Sequence, residues 1–270
     1  MRSLRETSTV MTGSQPLRPR EYRTAWMGHG LATLLLATVF LLGITPIHDG
    51  DVWWHVKSGE DYVQHRSFPD HDPFLFTAGG HQFVIREWLA QVISYFVAHL
   101  GGLAGLTLFK AALFTLAVGI VWRLGAAPCR PVPAAAQVLL LLALVARPWL
   151  AERPEAFSFL LLAAALSVLL KGASGRPTDL LVPLQVLWAN MQTSFLLRLL
   201  LPWPFLIDGA ACRFRRGGQQ AAGEQHHPLL HLAQATLLLL PAWSLTPEGM
   251  RALLYPLHLA RFPSVVKIDE

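Results

Sequence analysis

Apolar runs follow one another from residue 27 to residue 245, and only one long polar segment interrupts them. They lie at Met27 to Ile47 and at 104–122, 133–150, 156–170, 179–191, 195–210 and 228–245. A water-soluble domain cannot hide so much apolar surface, because its outside must be largely polar. Only 14% of the residues are charged, against about 25% in ordinary globular chains. With 53% hydrophobic residues and a mean hydropathy of +0.41, the natural solvent is lipid. A helix needs about 20 residues to cross about 30 Å of hydrocarbon. The runs therefore predict an all-α polytopic transmembrane bundle of about seven spans, one more or one fewer.

Net charge is +5 and the isoelectric point near 9.6, values that a nucleic-acid binder also shows. Here the basic residues flank apolar runs, so a nucleic-acid partner is set aside and membrane lipid is expected instead. Residues 1–25 carry Arg2, Arg5, Arg18, Arg20 and Arg23 among Ser, Thr and Pro, and read as a disordered cytoplasmic tail. Residues 26–270 form the transmembrane domain. Its first run is read as an uncleaved span, since HDGDVWW after it has no small-residue cleavage site. Cys129 and Cys212 are too few for a disulfide framework.

The segment EWLAQVISYFVAHL, Glu87 to Leu100, has helical apolar spacing and is stopped by Gly101–Gly102. It either spans or lies at the surface. If it lies at the surface, twelve basic residues fall inside (Arg2, Arg5, Arg18, Arg20, Arg23, Arg123, Arg130, Lys171, Arg176, Arg213, Arg215, Arg216) and eight outside. If it spans, the count is ten against ten. The positive-inside rule favours the surface position. Residues 48–100 then make a first outer loop with an interfacial helix, in a multi-pass protein of the inner membrane whose N-terminus is cytoplasmic.

Polar residues worth chemical attention concentrate on that outer side. HDGDVWWH places Asp49 and Asp51 two residues apart around Gly50, beside His48 and His55. Two such carboxylates share a divalent cation or a ligand amine, and one of them serves as a general base. Trp53 and Trp54 suit an interfacial belt or a platform for a sugar or head group. A solvated loop start with belt tryptophans is the plainer alternative. Five of the eleven histidines (His48, His55, His65, His71, His81) lie in the loop, without a recognised metal spacing. The loop closes on Arg86–Glu87–Trp88. Farther on, RPWLAERPE holds Arg147, Glu152, Arg153 and Glu155 between two runs. Arg153 offers a planar fork for an anionic phosphate, unless it merely pairs with a neighbouring Glu. Asn190 and Gln192 in WANMQTS line a polar outer pocket or cap helices. Lys110 and Arg198 stand inside apolar runs, Lys110 either snorkelling outward or facing the bundle interior. GxGxxG, P-loop, GxSxG and CxxC patterns are absent from the sequence.

DVWWHVKSGE, PDHDPFLFTAGG, EWLAQVISYFVAHLGGLAGL, RPEAFSFLLL, LWANMQTSFLL and TPEGMRALLYPL occur in this order. Together they resemble a family of bacterial polytopic membrane proteins in the GT-C glycosyltransferase superfamily, from about residue 45 onward. The resemblance implies transfer of a sugar from a polyprenyl-phosphate donor at the outer leaflet to a lipid, glycan or protein acceptor. It implies Asp49 and Asp51 as the catalytic acidic residues of the first outer loop, and as the ligands of a divalent cation if one is used. His55, Trp54, Glu87, Arg153, Glu155 and Asn190 are the substrate-binding candidates. Members of the family continue with further spans where this chain stops at KIDE, so an inactive truncated remnant is one alternative expectation. A transporter or lipid-handling protein without covalent chemistry is another.

Overall fold

The computed structural model describes residues 19–69, 71, 74, 87–125, 132–146, 151–172, 179–192, 200–215, 228–239 and 241–249. Most of the expected tail, much of the 48–86 loop, Arg147 and Arg198 lie outside these residues. Among the described residues every regular element is helical. In chain order they are α1 (Pro19–Gly43), α2 (Asp51–His65), α3 (Trp88–Gly125), α4 (Val132–Ala146), α5 (Glu155–Gly172), α6 (Leu181–Met191), α7 (Trp203–Arg215) and α8 (Pro228–Leu238), followed by a 3₁₀ turn, Pro241–Leu245.

Element ends follow the proline and glycine positions. α1 opens at Pro19, ahead of residue 26, because proline suits the first helical position, where its missing N–H has no partner to lose. Pro204 sits one residue into α7, near the helix start where proline is tolerated, and α7 runs past the 195–210 run to Arg215. Pro241 ends the helical part of the 228–245 run and leaves a 3₁₀ turn behind it. Among the described residues one helix, α3, is long and apolar enough to cross a membrane by length and composition. Shorter apolar segments lie at Gly28–Gly43, Ala135–Ala146 and Leu181–Met191.

α3 is two helices joined at a corner. Gly102 adopts φ 60°, ψ −155°, a backbone region that only glycine occupies at little cost. The stop expected at Gly101–Gly102 is this corner. Residues 88–101 form one limb and 103–125 the other. The second limb, at 1.5 Å per residue, runs for about 34 Å.

α2 lies across the first limb. It buries Val52, His55, Ser58, Gly59 and Tyr62, which recur at helical spacing, and turns Lys57, Glu60 and Asp61 outward. Lys57 Nζ reaches Glu60 Oε2 at 2.9 Å and Asp61 Oδ1 at 3.1 Å. The crossing is close enough to exclude any side chain at residue 59. A Cβ there would stand 2.2 Å from the Gln91 carbonyl oxygen and 2.9 Å from Tyr95 Cβ. Backbone, not a flexible side chain, is in the way. Gly59→Ala is expected to destabilise the protein by about 2–3 kcal/mol through forced separation of the two helices, read as a lower unfolding midpoint in detergent. An unchanged midpoint would mean the helices do not cross there.

The packed interior falls into three groups. Trp188, Phe157, Leu161 and Leu113 join α3, α5 and α6. Leu35, Val39, Phe114, Val118 and Ala143 join α1, α3 and α4. Leu169, Leu181, Leu232 and Leu239 join α5, α6 and the α8 region. α1 and α3 touch through small residues, where a Cβ on Gly43 would meet Ala111 at 3.0 Å. Large apolar side chains also cover the outside. α4 exposes Val138, Leu141, Leu142 and Val145, the last at 71%; α1 exposes Leu34 and Leu41, and α3 exposes Leu108 and Leu116.

Candidate functional site

Asp49 lies in the seven-residue connection between α1 and α2, residues 44–50, where the chain leaves its first apolar helix. Its Oδ1 accepts the backbone N–H of Asp51 at 3.0 Å and so holds the entry to α2. Asp51 is the acidic residue of the first turn of α2, a place the helix dipole favours for a negative charge. Arg153 comes from the turn before α5, 104 residues away from Asp49. Its Nε donates to Asp49 Oδ2 and its Nη2 donates to Asp49 Oδ1 at 3.0 Å. The same Nη2 stands 3.0 Å from Asp51 Oδ2. One guanidinium therefore bridges both carboxylates.

The two aspartates are not equivalent. The Asp49 side chain is 14% exposed and that of Asp51 60%. The hydrogen bonds from Arg153 lower the pKa of Asp49, with the Asp51 N–H acting in the same direction and burial opposing both. The Arg153 pKa is correspondingly raised, first by its hydrogen bond to Asp49 and then by the charges of Asp49, Asp51 and Glu155. Three carboxylates around one guanidinium leave the cluster net negative. Among the described residues no group of three or more His, Cys, Asp or Glu side chains is placed to hold a metal ion. Arg153 itself fills the space between Asp49 and Asp51 that a cation shared by them would take.

His55 is buried one turn into α2, with Gln91 Nε2 3.3 Å from its Nδ1. Burial pushes its pKa down to about 4, against the raising effect of Asp51 and Asp49, while Arg153 adds to the lowering. The folded protein thus holds this ring neutral, whereas the unfolded chain protonates it near the ordinary value of 6.5. Stability from this group is complete above about pH 6.5 and is lost as pH falls from there toward 4. The whole difference is about 3 kcal/mol, at about 1.4 kcal/mol per pH unit. Asp49, with its depressed pKa, contributes a separate loss only below the ordinary carboxylate range. Unfolding measured at pH 7.5 and 4.5 should show the His55 loss, and His55→Gln should remove most of it. An equal loss in the variant would place the titrating group elsewhere.

Trp54 packs edge-on against His55, with ring centroids 4.8 Å apart, and against Phe74 at 6.2 Å. Trp53 beside it is 58% exposed. Glu87 stands half-buried at the head of α3, where its carbonyl accepts the Gln91 N–H at 3.0 Å. Glu155 opens α5 and extends the polar site inward. Its Oε1 lies 3.5 Å from Gln192 Nε2, Gln192 Oε1 accepts from Ser158 at 3.3 Å, and Ser158 accepts the Trp188 indole N–H at 3.0 Å. Asn190 serves a different end. Its Oδ1 accepts the Trp88 indole N–H at 2.7 Å, and its Nδ2 donates to the carbonyls of Val186 and Leu245. It ties α3, α6 and the 3₁₀ turn to one another.

A second ion pair lies next to the first. Lys110, on the apolar limb of α3, places Nζ 2.5 Å from Glu152 Oε1, and both side chains are almost wholly buried. Nζ also donates to Thr45 Oγ1 at 2.8 Å. Lys110 thus faces the bundle interior and does not snorkel. Its partner was hidden in the sequence because Glu152 stands 42 residues away, beside an arginine that offered itself as a nearer one. Comparison with protein-family models, curated proteins and solved structures returned no significant match.

Proposed function

We propose that this chain is a multi-pass protein of the inner membrane, with about seven spans and a cytoplasmic N-terminus. In this reading it transfers a sugar from a polyprenyl-phosphate donor to an acceptor at the outer leaflet. The observation that carries the reading is the Asp49–Asp51–Arg153 cluster, assembled from two distant segments where apolar helices meet the polar loop. The apolar exterior supports lipid as the solvent, since contiguous exposed Val and Leu on α4, α1 and α3 are not sustained in water. The charged outward face of α2 supports a surface position for α2 and residues 88–101.

In the proposed reaction Asp51 takes the proton of an acceptor hydroxyl as its oxygen attacks the anomeric carbon. The bond from that carbon to the phosphate oxygen breaks, and the electron pair leaves with polyprenyl phosphate. Arg153 has Nη1 donors that hold neither carboxylate, and these face the leaving group's charge. Trp53 and Trp54 offer apolar faces for the sugar.

Transfer and transport are separated in one assay. Purified protein in proteoliposomes is given a polyprenyl-phosphate sugar carrying a labelled sugar and a hydroxyl acceptor. A labelled glycoside with release of polyprenyl phosphate is expected. Label that changes leaflet without a glycosidic product favours lipid handling instead, a reading to which the buried Lys110–Glu152 pair also lends itself. Absence of both products over a range of sugars and acceptors would sink the transferase reading.

A further inference from the structure

We infer that Lys110 is a positioning residue for the Asp49–Asp51–Arg153 site, holding both of its halves to the apolar limb of α3 through one buried ammonium. The inference rests on the reading of that cluster as the functional site, but its test reads geometry and needs no activity.

The cluster is made by two segments. One leaves α1 at Gly43 and reaches Asp49 and Asp51; the other is the turn that enters α5 at Glu155. Lys110 holds each of them. On the first it donates to Thr45 Oγ1 at 2.8 Å, four residues before Asp49. On the second it binds Glu152 Oε1 at 2.5 Å, the residue immediately before Arg153. Glu152 and Arg153 are neighbours with different partners, Glu152 binding Lys110 and Arg153 binding the aspartates. The turn is thereby fixed on both sides.

Apolar packing alone does not require this arrangement. Lys110 Nζ sits in a low-dielectric interior, where removing a charge from water is unfavourable and a matched apolar pair is often as stable. Within this structure the ammonium does what two apolar side chains cannot. It takes three directed bonds at most, and the two observed ones run to the two segments that must meet. Tethering both segments to one point raises their local concentration for each other.

The test uses paired cysteines at positions 49 and 153, in a background without Cys129 and Cys212. Asp49→Cys with Arg153→Cys removes the aspartate–arginine pair itself, so proximity then depends on the remaining tethers. A short bifunctional thiol reagent is applied to native membranes, and the cross-linked fraction is read by the block to later labelling of both thiols. The parent pair is expected to cross-link. Adding Lys110→Met should lower the rate about tenfold, as expected for release of a short tether, and Lys110→Arg should restore most of it. Thr45→Val removes one tether only, leaves the ion pair intact and should lower the rate in a protein that stays folded.

The deciding variant is Lys110→Met with Glu152→Leu, which replaces the pair by apolar side chains of similar size. Recovery of folded protein with cross-linking still low supports positioning. Cross-linking at the parent rate in that variant overturns it, since Lys110 would then only neutralise Glu152. A parent that never cross-links would instead remove the proximity of the two segments, and with it the site on which the inference rests.

Discussion

Glu152→Leu, with Lys110 left in place, is expected to destabilise the protein by about 3–5 kcal/mol. Lys110 is then a buried ammonium with Thr45 Oγ1 as its remaining bonded partner. A cation in that position has lost its hydration and its counter-charge together, and one neutral hydroxyl restores little of either. Replacement of both residues, Lys110→Met with Glu152→Leu, is expected to return stability to within about 1 kcal/mol of the parent or above it. The asymmetry between the single and double variants is the informative quantity. It is read from denaturation midpoints in detergent, with the four proteins of the cycle measured side by side. A single variant within about 1 kcal/mol of the parent would mean that water reaches Lys110 and that the pair is not buried as described.

How far this arrangement could be foreseen depends on the range of each interaction. The helical class was legible because apolar periodicity and run length are local. The corner at Gly102 was legible too, from the Gly101–Gly102 pair after EWLAQVISYFVAHL. Helix ends were less so, and for a local reason: Pro204 and Pro241 stand inside apolar runs, and hydropathy averages over them although the backbone cannot. Asp49, Asp51 and Arg153 each stood out singly as charges at a boundary. Their union did not, since nothing local links residue 153 to residue 49. Lys110 shows the same limit more sharply. A lysine in an apolar run announces a partner somewhere, but sequence spacing cannot choose between Glu152 and solvent at the helix end. Gly59 gave no signal at all, because close approach to Gln91 is a property of two helices and not of one.

Under the proposed transferase function, Asp51→Asn is expected to lower transfer by about 10²–10⁴-fold, the range that a positioned general base contributes, while leaving the fold intact. The reason lies in how differently the two aspartates are held. Both oxygens of Asp49 accept from Arg153, and Oδ1 also accepts the Asp51 N–H. A carboxylate so engaged, with its pKa lowered, is a poor proton acceptor and a good anchor. Asp51 touches Arg153 at one oxygen and its side chain is largely open, so an acceptor hydroxyl can reach it. Amide replacement there removes the base but little packing. Asp49→Asn acts on structure as well: it weakens the Arg153 fork and alters the start of α2, so activity and stability should fall together. Assays of both variants in proteoliposomes, beside their unfolding midpoints, separate the roles. Full activity in Asp51→Asn with none in Asp49→Asn would move the base to Asp49, and the fork from Arg153 would then have to open during turnover for a hydroxyl to approach.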